Sequence, residues 1–333
     1  MRVDLVRRAW EAIDFRTPLV VRALADAGVF AALAEGAATT AHLASACSLH
    51  AGSLDRALQL LIAADVVRSH GEAWEFTDVG RMLRPGDPSG AGDMAVFFPW
   101  ELAGWSEVSH VLATGEPGFV RATGQTPFEW FATYPDAGRR FDVLMQRRTT
   151  GLLAHGLALY DGWPEQGTVV DVGGGNGTLL GHLLGRRPGL RGVLFDRPGV
   201  VAGAPGVLDA AGVSNRVDVV AGDFFDSVPP GGDLYILGSV LHDWDDHDAG
   251  RILTTVRAAC QATSRLLLFE AALRTDGQPD PMRMIDIHML VMLGGGERTV
   301  DAWRTLLEQH DFSHTRVVPG PTLSWIEAEP TAR

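Results

Sequence analysis

The sequence of 333 residues predicts an α/β fold: a Rossmann-like, doubly wound, mostly parallel sheet preceded by an α-helical, winged-helix-like amino-terminal domain. Three observations predict it. Five short apolar runs, TVVDVGG, RGVLFD, VDVVAGD, DLYILGSV and RLLLFE, are separated by helical segments or loops, the pattern of parallel strands with crossover helices. The first run leads straight into a glycine-rich loop. The opening eighty or so residues instead show helical spacing closed by a hairpin.

Composition narrows the function before any motif is read. The chain has 41 acidic and 28 basic residues, a formal charge of -13. That excess disfavours a large surface for nucleic acid or anionic lipid. All 28 basic residues are arginine, so a Schiff-base lysine, a lysine general base and a GK[ST] phosphate loop are ruled out; a GC-rich genome is the ordinary source of such a bias. With 46% apolar residues the chain can fill full cores, and at roughly 100–200 residues per domain its length suggests about two domains. No apolar run reaches the roughly 18 residues of a membrane helix. The start, MRVDLVRRAWEAIDF, mixes acids with arginines and does not read as a signal peptide. Cys47 and Cys260 match no metal spacing. A cytoplasmic protein with reduced thiols is expected.

From the amino terminus, Thr17-Pro18 has the form of a helix cap followed by proline at the first helical position. Leu19, Val20, Ala23, Leu24 and Ala27 recur behind it at helical spacing. A second helix is expected over AHLASAC, after Thr39-Thr40, and a third over SLDRALQLLIAADVV with Ser53 as its cap. VRSHGEAWEFTDVG then reads as a hairpin turning at Gly71. This is the outline of a winged helix, a module that binds DNA or dimerises. The helix from Ser53 offers only Arg56 as a base before Arg68, so the charge argument favours dimerisation or a scaffold role.

RPGDPSGAGD (84–93) is the best linker candidate. The expected division is a dimerisation domain at 1–90, a helical connector at 91–160 and a sheet domain at 161–333. The connector is rich in rings: Phe97, Phe98, Trp100, Trp105, Phe128, Trp130, Phe131 and Phe141. Their ordinary role is core, but four within 97–105 also suit a pocket for a flat ligand.

The glycine loop carries the chemistry. A strand holding Asp171 runs into Gly173, Gly174, Gly175, Asn176 and Gly177, and a helix begins near Thr178. Glycines let a ligand approach the backbone, and the helix start offers free amides. A dinucleotide loop wants G-x-G-x-x-G; Gly173 and Gly175 match, but Thr178 occupies the third position. Asp171 would repel a pyrophosphate there and suits a ligand with an amino group, which points to an aminoacyl-bearing nucleoside. Asp196 closes the second strand, where an acid can accept both ribose hydroxyls. Asp223-Phe224, after the third, adds an acceptor and a ring edge for adenine. Each acid could instead cap a following helix. Together, on one edge of the sheet, they read as a binding site.

These motifs resemble a known family. DVGGGNG, LFDRP, GDFF and LHDWDDHDAGRIL are similar to the motifs of class I S-adenosylmethionine-dependent O-methyltransferases. So are the segments TPFEWFATYPDAGRRFDVLM and DIHMLVMLGGGERTVDAWRTLLEQHDF. The nearest group is that shared by plant phenolic O-methyltransferases and bacterial enzymes that decorate aromatic polyketides. LHDWDD combined with GGGERT is specific to it, whereas DVGGGNG alone marks methyltransferase folds in general. The resemblance covers nearly the whole chain. It implies S-adenosyl-L-methionine as cofactor, a small hydroxylated aromatic acceptor, and a homodimer formed through the winged-helix domain. It implies that Gly173 and Gly175 line the methionine moiety, that Asp196 holds the ribose, and that Asp223 and Phe224 meet the adenine. Met145 matches a methionine beside the reaction centre, His242 the general base, and Glu270 and Glu297 the two acids flanking that base. Plant members carry a lysine four residues before the histidine, and bacterial relatives often a serine. This chain has Gly238 there and Ser239 next, so the cofactor contact falls to Ser239 or to the backbone.

The residues support the same chemistry directly. His242 follows DLYILGSVL and so stands at the carboxyl end of the fourth strand. Imidazole, with an ordinary pKa of about 6.5, is matched to taking a phenolic proton near neutral pH. A methyl sulfonium is already electrophilic, so deprotonation and positioning suffice, with no metal and no covalent intermediate. Glu270 ends the fifth strand, where a carboxylate can orient the imidazole and stabilise its protonated form; a helix cap or surface acid is the alternative. The acids around Asp243 read as helix caps, Asp245 with Asp248, more than as metal ligands. His247 is expected in solvent, and Trp244 beside the cofactor or in the core. Met145, Met289 and Met292 suit a flat apolar acceptor pocket, or equally an ordinary core. Arg147, Arg148 or Arg283 could pair with an acidic group on the substrate. Two alternatives stand beside O-methylation: C- or N-methylation or a non-methylating reaction with the same cofactor, and a winged-helix, ligand-sensing transcription regulator.

Overall fold

The five apolar runs of the second half become five adjacent strands of a single seven-stranded sheet. The computed structural model describes residues 2–87, 90–95 and 98–332. Its sheet contains β1 (Gly167–Val172), β2 (Leu190–Asp196), β3 (Val217–Ala221), β4 (Leu234–Gly238), β5 (Arg265–Glu270), β6 (Phe312–Val318) and β7 (Ser324–Pro330), in the order β6-β7-β5-β4-β1-β2-β3. The five from β1 to β5 pair in parallel. Helices Thr178–Arg186, Ala204–Ala210 and Asp246–Ala259 supply crossovers, so Val169, Leu234, Ile236 and Leu267 are buried in continuous apolar strands. Strand order reverses between β1 and β4, which opens a crevice beyond their carboxyl ends.

The antiparallel β6 and β7 are not foreseen by the sequence reading. Ser313, His314, Thr315 and Arg316 give β6 no apolar run. In β7, Glu327 interrupts the pattern and is held by Arg265 at 2.9 Å and Arg316 at 2.7 Å. A strand whose buried acid is neutralised by neighbours distant in sequence has no local signature.

The chain forms two compact units, Met1–Pro99 and Trp100–Arg333. In the first, helices Arg16–Asp26, Val29–Ala34, Thr40–Ala46 and Ala51–Ala63 surround Phe30, Leu43, Leu58 and Leu61. The hairpin Val67–His70 and Ala73–Phe76 turns at Gly71, whose φ is 63°, and takes Ala38–Thr39 as a third strand. Two caps differ from expectation. The first of these helices begins at Arg16, not behind Thr17, because Asp14 accepts the amides of Arg16 and Thr17 at 3.3 and 3.0 Å. The helix expected from Ser53 begins at Ala51, where His50 Nδ1 accepts the Ser53 amide at 3.2 Å. In both, an acceptor three residues ahead satisfies a first-turn amide. Thr39 caps Thr40–Ala46 as its sequence suggests. Residues 88 and 89 of the linker, and Phe97, lie outside the described residues.

In the second unit the connector aromatics largely pack on one another: the Trp100 ring lies 6.2 Å from Phe119, 5.2 Å from Phe131 and 6.4 Å from Phe141. Both cysteines are free thiols. Among the described residues, no helix is long and apolar enough to cross a membrane.

Candidate active site

One end of the crevice is built by β1 and its loop. Gly173, Gly175 and Gly177 have φ of 70°, 62° and 83°, a region that side chains other than glycine rarely enter. A Cβ at Gly173 would lie 2.9 Å from Val240, whereas one at Gly175 would meet nothing within 4 Å; the loop is tight at its base and open at its tip. Helix Thr178–Arg186 starts immediately behind it. Asp171 is 1% exposed, and its Oδ2 finds no hydrogen-bond partner among the described residues. Burial, and then the charge of Asp196, push its carboxyl up to about 7. A buried acceptor left in that state is unfavourable until a donor completes it, so the site fits a ligand carrying an ammonium group.

Asp196, at the end of β2, accepts the Gly175 amide at 2.8 Å and the Arg197 amide at 2.7 Å. It therefore ties the loop tip to the sheet, and burial raises its pKa. Asp223 accepts the Phe225 amide at 2.8 Å. The turn it shapes places Phe224 within 3.6 Å of where a Gly173 Cβ would stand. Phe224, Phe225 and Phe128 meet Trp244 at 6.0, 4.7 and 5.8 Å, and the Arg197 guanidinium lies over Phe128 at 4.8 Å.

The other end is built by β4. Gly238 closes the strand, with Leu179 3.0 Å from its would-be Cβ. Ser239 takes a left-handed φ of 56° and donates its amide to Phe269 at 3.0 Å. The chain then enters the short helical turn Leu241–Asp243. His242 is 3% exposed. Its Nδ1 lies 2.8 Å from Glu297 Oε1, and its Nε2 3.4 Å from Asp243 Oδ1. Glu270 is placed differently from the expectation that it orients the ring. Its Oε1 accepts the Val240 and Leu241 amides at 2.9 and 2.8 Å, so it holds the backbone of the turn while Glu297 holds the imidazole. A short parallel ladder between Ala272–Leu273 and Arg298–Thr299 brings the two acids together. Ligand atoms of His242, Glu270 and Glu297 lie within 4.8 Å of one another. Burial opposes the imidazolium, but the charges of Glu270, Asp243 and Glu297 outweigh it and raise His242 to about 9; burial lifts Glu270 to about 7.

These shifts carry a pH dependence of stability. His242, Asp171 and Glu270 all titrate higher in the folded, ligand-free protein than in the unfolded chain, so the folded state holds more protons and stability falls as pH rises. The imidazolium contribution is complete below about pH 6.5 and lost as pH passes about 9. The two acids add a decline that ends near 7. The thermal midpoint of the ligand-free protein is therefore expected to fall between pH 5 and pH 9; a flat or rising midpoint in differential scanning calorimetry would contradict these assignments.

Asp245 caps helix Asp246–Ala259 by accepting the Asp248 amide at 2.8 Å, as its spacing suggests, and His247 is exposed. Met145 is half-buried on helix Pro135–Leu159, and Met289 is half-buried on helix Met282–Met292. Met292 packs with Val111, Phe119 and Val291. Burial raises the Asp243 pKa, opposed by the charges of His242 and of Arg148 on the long helix, and Arg283 lies 3.4 Å from Asp286. Sequence reasoning missed Asp286, which accepts the Glu297 amide at 3.0 Å, and Arg298. The only available signal for Arg298 is its place beside Glu297 in GGGERT.

A buried, unpartnered carboxylate oxygen at one end and a carboxylate-held imidazole at the other suit a group transferase with a cationic donor. Methyltransferases are that class. Residues 105–313 match the O-methyltransferase domain family, and the chain belongs to it. It is 36% identical over 310 residues to phenazine O-methyltransferase PhzM of Lysobacter antibioticus, covering 92% of this chain and 90% of that one. It is 31% identical over 283 residues to phenazine-1-carboxylate N-methyltransferase of Pseudomonas aeruginosa, covering 84% and 83%. Among solved structures it resembles NcsB1 from neocarzinostatin biosynthesis, in complex with S-adenosyl-L-homocysteine and 1,4-dihydroxy-2-naphthoic acid, with a TM-score of 0.84 and 32% identity over 96% of this chain and 98% of that one. The protein is an S-adenosyl-L-methionine-dependent O-methyltransferase.

Proposed function

We propose that this enzyme methylates a hydroxyl of a small aromatic natural product, with His242 as general base. The observation that carries the reading is the 2.8 Å contact between His242 Nδ1 and Glu297 within a buried site. With Nδ1 donating to that carboxylate, Nε2, which lies 3.4 Å from Asp243 Oδ1, is the nitrogen that takes the acceptor's proton, and the surrounding acids stabilise the imidazolium that results. When bound, S-adenosyl-L-methionine supplies a methyl group on a sulfonium that needs no further activation. The rest is placement. Asp171 balances the ammonium, Gly173 and Gly175 admit the methionine moiety, Asp196 holds the ribose, and Asp223 with Phe224 holds the adenine. The backbone at Gly238 and Ser239 lines the crevice between them. Met145, Met289 and Met292 form the acceptor side.

The acceptor class rests on the relatives' own names, a phenazine in one and a dihydroxynaphthoic acid in another. Incubation with methyl-labelled cofactor and a panel of hydroxylated naphthoates and phenazines is expected to give a product one methyl heavier, with the label on oxygen by NMR. Label on nitrogen or carbon would overturn the reading.

The chain is read as a winged-helix-like dimerisation domain at 1–90, a pocket-lining connector at 91–160 and a catalytic domain at 161–333. Support for a homodimer comes from helix Arg2–Ile13, which leaves Leu5, Val6, Trp10 and Ile13 exposed at near-helical spacing. A monomer by sedimentation at micromolar concentration would end that reading. The setting is cytoplasmic, with no nucleic-acid or membrane partner, in keeping with the charge of -13.

No metal is assigned. His242 Nδ1 and Glu270 Oε1 are engaged in hydrogen bonds, while Glu270 Oε2 and Glu297 Oε2 find no partner among the described residues; the imidazolium they surround takes the place of a cation. Turnover is expected to survive EDTA, and a loss restored by magnesium would reverse the assignment.

A further inference from the structure

We infer that Arg298 is a positioning residue whose guanidinium sets the turn carrying His242, an inference that rests on the reading of His242 as base. Arg298 is 7% exposed, and its donors go to both sides of that histidine. Nη1 donates to the Leu241 carbonyl at 2.9 Å and to that of Gly296 at 3.5 Å. Nη2 donates to the Trp244 carbonyl at 2.9 Å, and Nε to Asp246 Oδ1 at 2.8 Å. One planar group thereby spans the exit of β4, the start of the next helix and the glycine segment before Glu297.

The fork is itself fixed. It lies 4.9 Å over the ring of Trp303, which is fully buried and donates Nε1 to the Ala271 carbonyl at 2.8 Å. Ala271 follows Glu270, the acid that accepts the Leu241 amide from the other side. Leu241 is thus held at its N–H by Glu270 and at its carbonyl by Arg298. The His242 carbonyl accepts the Gly296 amide at 2.9 Å, and a Cβ at Gly295 would stand 2.2 Å from that same oxygen. The backbone of the base and the partner of its ring are therefore placed by adjacent residues, Arg298 and Glu297. Guanidinium offers five donors in a rigid plane, whereas an ammonium is a point charge on a flexible stem; this site needs the plane.

The test uses the full-length enzyme with S-adenosyl-L-methionine and an acceptor that the wild type methylates. Arg298→Gln is expected to lower kcat about 10–100-fold, the scale of a misplacement of about 1 Å, with both KM values within about twofold. The ring NMR signals of isotope-labelled His242 are expected to shift, together with the pH at which they titrate. Arg298→Lys should recover only part of the rate. Should Arg298→Gln fail to fold, Asp246→Asn reads the same latch from its exposed end, where the Asp246 side chain is 81% accessible; a loss of about 2–5-fold in kcat with a shifted His242 signal is expected. An unmoved His242 signal in the folded variants, or a loss confined to KM, overturns the inference. His242→Gln, run alongside, separates the two failures. If it keeps turnover, the base reading falls, while the His242 signals still report whether Arg298 holds the ring.

Discussion

His242→Gln is expected to bind S-adenosyl-L-methionine as the wild type does and to lose about 10²–10⁴-fold in kcat, the usual contribution of a positioned general base. Glutamine keeps a polar group facing Glu297 but cannot accept a proton from a phenol. The loss should shrink for acceptors acidic enough to arrive already ionised. The pH profile adds a second reading. His242 is raised to about 9 in the ligand-free protein, so the acid limb of kcat/KM should lie well above the ordinary imidazole range, because only the neutral ring is active. A bound sulfonium disfavours the imidazolium, so the limb in kcat should sit lower than that in kcat/KM. Glu297→Gln removes a charge that supports the imidazolium and should move both limbs to lower pH while reducing the maximum. A His242→Gln enzyme within tenfold of wild type on an unionised phenol would remove His242 from the chemistry.

The second large effect concerns Asp171. Asp171→Asn should weaken cofactor binding about thirtyfold or more, since truncating one member of a buried charge pair costs about 2–5 kcal/mol. Wild-type affinity should rise as pH increases through about 7, where the carboxyl of the free protein ionises, and the variant should lose that dependence. Calorimetric titration across pH 6 to 8 checks both. Equal affinity in the two proteins at pH 8, above the ionisation of Asp171, would separate Asp171 from the ammonium and return its burial to a structural role.

The parts of the fold that could be read in advance are those whose cause is local. β1, β4 and β5 are apolar because both their faces are covered, whereas β3 lies at the sheet edge with Val219 and Val220 exposed. Asp171, Asp196 and His242 fall at strand ends, where a doubly wound sheet gathers its ligands. β6 and β7 depend on partners far away, as with Glu327 between Arg265 and Arg316. Glu297 stands 55 residues beyond His242 on no shared periodicity, and only the family resemblance singled it out. The position of Glu270 was readable and its contact was not, since nothing in a sequence shows which backbone amides a carboxylate will find. Arg298 is hidden for the same reason: an arginine beside a glutamate reads as surface, and burial comes only with the turn that closes over it.

The ladder that joins β1 to β4, with Val169, Val170 and Asp171 opposite Leu234, Tyr235 and Ile236, has a consequence for how such enzymes diversify. The donor end and the base end of the crevice rise from neighbouring strands locked in register, so their separation is a property of main-chain geometry. The candidate acceptor methionines sit on helices Pro135–Leu159 and Met282–Met292, outside that ladder. Substitutions at Met145 or Met289 therefore leave that separation unchanged and are the rational route to new phenols, provided Asp286 and Arg148 on the same helices, which act on Glu297 and Asp243, are kept.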